Sequence, residues 1–204
     1  MITQLQLDEL WDFGDAAASE RRLRAAADGA AGEERAEYLT QVARSLGLQN
    51  RFDEARAVLD GLSSDDPAVI TRVALERGRI ENSSGHPEQA VPHFRTAAEA
   101  AEQHDLEFLQ IDALHMLAIA DADHEADWTA LAVAVAEASH DQRNRRWLIS
   151  LHNNHGWNLY DAGDRDGAIA EFELTLELAE AIGTPTQQQY ARDALDEARG
   201  RTKS

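Results

Sequence analysis

Residues 78–94 read GRIENSSGHPEQAVPHF and residues 156–172 read GWNLYDAGDRDGAIAEF. Aligned end to end, the two stretches share an opening glycine (Gly78, Gly156), a second glycine (Gly85, Gly163), an alanine (Ala90, Ala168) and a closing phenylalanine (Phe94, Phe172). The same offsets counted from Ala55 reach Ala43, Asn50 and Leu59, and counted from Ser19 they reach Leu7, Gly14 and Leu23. From Ala130 they reach Ala118 and Ala134, with Glu125 where a glycine is expected. The anchors Ser19, Ala55, Ala90, Ala130 and Ala168 lie 36, 35, 40 and 38 residues apart. Self-similarity at such a period is the mark of a repeat array.

Composition says what the repeats are made of. Alanine dominates, strand formers are sparse, and 4 prolines and 12 glycines punctuate 204 residues, which is a helical composition. Aromatics make up only 6%, so the core must rest on small aliphatic side chains in close helix–helix contact. Asp66-Pro67, His86-Pro87 and Thr184-Pro185 each set a capping-type residue before a proline at the first helical position. Gly14-Asp15 and Gly163-Asp164 read as a helix stop followed by a restart. These signals predict eleven helices, at 4–13, 16–28, 33–47, 52–61, 68–83, 87–103, 105–121, 125–139, 144–162, 165–182 and 185–199. Their short connections make consecutive helices antiparallel neighbours. No linker or shift in composition divides the chain, so a single domain over 1–204 is expected.

Charge and missing residue types narrow the function. With 19 basic and 38 acidic side chains the net charge is −19, which disfavours nucleic acid and anionic membranes as partners. There is no cysteine, hence no disulfide, thiolate metal site or thiol nucleophile. Apolar runs stay short of the roughly 18 residues that a spanning helix needs. Residues 1–14 mix Asp, Glu and Gln among apolar residues, unlike a signal peptide, so a cytoplasmic location is expected. Phosphate-loop, nucleophile-elbow and His-Glu-x-x-His patterns do not occur, which points away from an enzyme and from a cofactor. His152 and His155 share a helix face at a spacing that suits two metal ligands, but hydrogen-bonded packing histidines fit that place better.

The small residues Ala43, Gly78, Ala118 and Gly156, followed by Ala55, Ala90, Ala130 and Ala168 with Phe94 and Phe172, resemble the tetratricopeptide repeat family. The resemblance covers about residues 3–183. It implies an all-α, right-handed α-solenoid of about five helical hairpins, at 1–31, 36–69, 71–104, 106–142 and 146–183, closed by a capping helix at 185–199. It also implies a concave face, lined by the first helix of each hairpin, that binds a peptide or helix of another protein.

The residues just off the packing slots are the candidates for that face. One residue past each slot stand Arg44, Arg79, Ile119 and Trp157; one turn earlier are Thr40, Leu75, His115 and Asn153; one turn later are Gly47, Asn82, Ala122 and Tyr160. Residues three, four and seven apart share a helix face, so Asn153, Trp157 and Tyr160 form one stripe. Asn153 and Asn82 suit a peptide backbone, Trp157 and Tyr160 supply stiff contact area, and Arg44, Arg72 and Arg79 suit acidic groups. His115 completes the set. The expectation is a non-catalytic interaction module whose partner is a protein or peptide carrying acidic groups. Its alternatives are a ligand- or peptide-responsive regulatory sensor and a self-associating structural protein that fills its groove with another copy.

Overall fold

A computed structural model describes residues 2–200. The chain is all-helical among these residues, with no strand. The helices are α1 (Gln4–Leu10), α2 (Ala16–Gly29), α3 (Gly32–Leu48), α4 (Phe52–Asp60), α5 (Pro67–Ser83), α6 (Pro87–Gln103), α7 (Glu107–Ala120), α8 (Glu125–Ala138), the single turn α9 (Gln142–Arg145), α10 (Trp147–Asp161), α11 (Arg165–Ile182) and α12 (Pro185–Ala198). They group into two compact units, Met1–Asp121 and Ala122–Ser204. Within each unit, helices pack on their sequence neighbours. In the first unit α3, α5 and α7 also lie side by side, and in the second α10 touches α12 as well as α11. That is solenoid-like stacking of helical hairpins, as expected.

The repeated residues do what their spacing suggests. A Cβ added to Gly78 would fall within 3.0 Å of the Phe94 ring, and one added to Gly156 would lie 2.6 Å from the ring of Phe172. Each glycine thus lets α5 or α10 sit directly on the phenylalanine of the following helix. Ala43, Ala55, Ala90, Phe94, Ala168 and Phe172 are fully buried. The hairpin turns also repeat: Asn50 (φ 59°), Gly85 (φ 90°) and Gly163 (φ 88°) all take the left-handed conformation. In each case the next residue's N–H reaches back into the helix, Arg51 to Leu46, His86 to Glu81 and Asp164 to Leu159, at 2.9–3.0 Å. This closes the helix C-terminus in a Schellman-type turn. Asp105 (φ 54°) makes the same turn between α6 and α7, so α7 starts at Glu107 and not at 105.

Asp15, Asp66, Asp164 and Thr184 cap α2, α5, α11 and α12 through their side chains, and the Thr184 backbone N–H donates in turn to Gln187 Oε1. His86 occupies the cap position of α6 but makes no side-chain cap bond; its Nδ1 lies 3.2 Å from Ser84 Oγ. Helix α6 begins at Pro87 and runs through Pro92, which has no N–H to give the Glu88 carbonyl. The single helix expected at 144–162 is instead a one-turn α9 followed by α10. At their junction Ile149 N–H reaches only to Arg146 O, and Arg146 Nε donates to Ile182 O at 3.0 Å.

One register needs correction. Ala130 is exposed, whereas α8 buries Thr129, Ala132 and Ala136. Counted from Glu125, these three repeat the spacing of Phe94, Ala97 and Ala101 from Ala90, and of Phe172, Thr175 and Ala179 from Ala168. The anchor is therefore Glu125, and the matching slot in α7 is Ala113, fully buried among Ala74, Leu75 and Ala97, not Ala118. A threonine stands where two of the other repeats have phenylalanine (Phe94, Phe172) and two have leucine (Leu23, Leu59), so no bulky residue at that position fixed the register of this alanine-rich helix.

Candidate functional site: a cationic cleft on the first unit

Helices α3, α5 and α7 each contribute charged residues to one buried cluster. Arg72 is buried against Glu37, with Nε 3.4 Å from Glu37 Oε2. Arg79 pairs through one guanidinium nitrogen with Glu76, a turn earlier on α5, and through the other with Asp112 on α7. Burial alone would lower the Arg79 pKa, but Asp112 and Glu76 outweigh it and raise it above the ordinary value. Burial likewise works against the Asp112 carboxylate, yet Arg79 and Arg44 hold it below the usual range. His115 lies beside them, half-buried. Burial and then Arg79 push its pKa below the ordinary imidazole value, against an opposing pull from Asp112.

Arg44 is the exception in this cluster. Its guanidinium has no hydrogen-bond or ion-pair partner among the described residues. It sits 5.7 Å from the ring centre of Trp11 and 5.6 Å from that of Phe13, two rings stacked 4.9 Å apart. Trp11 is itself fixed by its indole N–H, which donates to Gln41 Oε1 at 3.1 Å. Burial, and then the neighbouring Arg79, lower the Arg44 pKa, with Glu76 and Asp112 opposing. The side chain also lines a cleft of about 200 Å³ formed by Ala43, Gly47, Leu48, Glu76, Arg79, Ile80, Ser83 and Met116. Gly47 makes that space. It stands on the stripe where α5 carries Asn82, and a Cβ built on it would meet nothing within 4 Å.

The structure sorts the expected groove residues as follows. Arg44 lines the cleft and is unpaired. Arg79 lines it too, but its charge is already taken by Glu76 and Asp112, so it is not available to read acidic groups. Arg72 is part of the buried cluster and not of an open face. Asn82 is half-buried one turn beyond Arg79, and its amide has no partner among the described residues. Trp11 and Phe13 belong to the site and were not singled out from sequence; Gly47 was placed on the stripe but given no role. The signal for Trp11 was present, since it lies four residues after Leu7 on the same stripe as Gly47 and Asn82.

In the second unit, Asn153, Trp157 and Tyr160 do share a face of α10. Trp157, expected to offer contact area to a partner, is half-buried and meets Phe172 edge-on at 5.0 Å and Tyr160 at 5.6 Å. It therefore braces the core made by Ala168, Phe172, Ala194, Leu195 and Ala198. Asn153 makes only a long contact of 3.5 Å to Asn154. His152 and His155 diverge to separate carboxylates, Glu171 at 2.7 Å and Glu125 at 3.0 Å, and so are hydrogen-bonded packing residues.

No protein-family model matches the chain, and no curated protein matches it in sequence. Among solved structures it is similar to BtubC (BKLC) from P. vanneervenii, with a TM-score of 0.66 at 17% identity over 98% of this chain and 86% of that one. At that identity the likeness concerns the fold alone. Among the described residues no helix is long and apolar enough to cross a membrane.

Proposed function

We propose that the chain is a non-catalytic interaction module of the tetratricopeptide type, holding a peptide or helix of another protein against the first helices of its hairpins. The observation that carries this is Arg44: an unpaired guanidinium set on two aromatic faces and lining a cleft that opens over Gly47. A buried cation is normally paired, because its desolvation is otherwise uncompensated. A half-buried one whose donors meet no carboxylate beside a cavity suits a partner that supplies an acceptor there. Exposed Phe13 (67%) and Leu48 (53%) flank the site and add apolar area of the kind that central interface residues supply.

Capture of partner proteins by the full chain tests this. Wild type and Gly47→Leu are compared with Glu99→Ala, a change on the exposed face of α6. Gly47→Leu should fold normally and lose capture, while Glu99→Ala should retain it. Equal capture by all three would place the binding surface elsewhere.

A further inference from the structure

Resting on the interaction-module reading, we infer that the cleft over Gly47 receives a glutamate side chain of the partner, with its carboxylate on Arg44 and its methylenes against Leu48, Ile80 and Met116. The geometry inside the cluster selects the ligand. Glu37 faces Arg72, and Glu76 and Asp112 both sit on Arg79, so three carboxylates match three arginines in number but none of them reaches Arg44. Arg44 is the cation whose donors are left open to the cleft. A single carboxylate satisfies them with one added negative charge; a phosphoryl group would bring almost two against Glu76, which also lines the cleft.

The lining selects among carboxylates. Leu48, Ile80 and Met116 are apolar, and so is the face of Gly47 and Ala43 between them. A glutamate reaches a cation through methylenes, which such walls accept. A chain terminus would carry its own backbone amide into the same walls, where an unpaired N–H is costly. The guanidinium is planar and presents two parallel donors, matching a carboxylate. Trp11 and Phe13 hold it from one side, so little side-chain freedom remains to be lost when the carboxylate arrives.

The test is a chemical-shift titration of the full-length, isotope-labelled protein, following the Gly47 amide, the Asn82 side-chain amide and Arg44 Nε–H. Three probes are used: N-acetyl-leucyl-glutamate with an amidated end, its glutamine analogue also amidated, and N-acetyl-leucyl-glutamine with a free terminal carboxylate. The glutamate probe should shift the Gly47 and Arg44 signals saturably, in the millimolar range expected of so small a ligand. The amidated glutamine probe should bind about tenfold more weakly, the usual loss on removing a charge-assisted bond. Arg44→Gln should bring the glutamate probe down to the level of the glutamine one, and Gly47→Leu should remove the response in a protein whose Arg44 is intact. No shift at Gly47 with the glutamate probe, or an unchanged response in Arg44→Gln, overturns the proposal. Tighter binding of the free-acid probe overturns it in favour of a chain terminus. If the probes fail while Gly47→Leu still loses protein capture, the glutamate chemistry falls and the interaction module stands; if both fail, both fall.

Discussion

Glycines within helices normally cost stability, yet three of them here have two opposite reasons to be present. Gly78 and Gly156 are filled by a phenylalanine of the next helix, whereas Gly47 faces open space. Substitution should therefore change sign with position. Gly156→Leu should lower stability by about 1–3 kcal/mol or more through overpacking against Phe172. Gly47→Ala should raise it by up to about 1 kcal/mol, because it removes glycine's conformational entropy from a helix without a clash. Thermal melts of the two variants settle it: a Gly156→Leu protein that melts higher than wild type would mean that Phe172 is not seated on that helix. Trp157 obeys the same logic of contact. Its edge contacts to Phe172 and Tyr160 imply that Trp157→Ala costs about 2 kcal/mol, between a surface change and a full core truncation. A melting temperature equal to wild type would return Trp157 to the role of a free surface anchor.

At the scale of elements, α3, α5 and α7 are held to one another by charge as well as by apolar contact. Asp112 is only 3% exposed and shares Arg79 with Glu76. Removing one member of such a group leaves its partner buried with less compensation. Asp112→Ala should cost about 3–5 kcal/mol, and Arg79→Met with Asp112→Leu together should cost less than the sum of the two single changes. Denaturant melts of the four proteins give the coupling directly, and strict additivity would mean the pair is not in contact. The same cluster sets two pH windows. His115 titrates lower folded than its ordinary value of 6.5, so the folded state binds fewer protons. Stability from this group is present above pH 6.5 and lost as pH falls from there toward the folded pKa. Asp112 is held below its ordinary 3.8, so its contribution is present above that value and is lost as pH falls further. His115→Gln should accordingly flatten the fall in stability between pH 7 and pH 5.5, and Asp112→Asn should not. An equal slope in wild type and His115→Gln would refute the assignment of the upper window. Neither window was legible in the sequence. Periodicity placed Arg44, Arg79 and His115 on related faces, but pairing depends on which acidic neighbour reaches which guanidinium, and Asp112 is one of 38 acids. What was legible is the architecture, because a glycine and a phenylalanine at fixed spacing must meet across a hairpin. It failed at α8, where Thr129 stands in the place of Phe94 and Phe172 and the alanine pattern slides by five residues, and it put Gly47 on the stripe without a role, because its importance is the side chain it lacks.

For the whole molecule, the net charge of −19 and the local charge of the Arg44 cleft act over different distances. A glutamate-bearing partner approaching from afar meets the excess of acids and is slowed. Once it is in the cleft it meets Arg44 at contact. Salt separates the two effects, since exposed charges more than about 8 Å apart are largely screened at physiological ionic strength while a close, partly buried pair is screened much less. Association of an acidic peptide with this protein should therefore speed up as salt rises from about 10 to about 150 mM, the reverse of steering by opposite charges. Dissociation should change little over the same range. Arg44→Gln should raise the dissociation rate at every salt concentration while leaving the salt dependence of association nearly as it was, because one charge among so many hardly alters the far field. Stopped-flow mixing with an end-blocked, glutamate-containing peptide measures both rates. Association that slows with salt in the wild type would show that the field at the cleft mouth is positive even at long range, and that the surrounding acids face away from the path of approach.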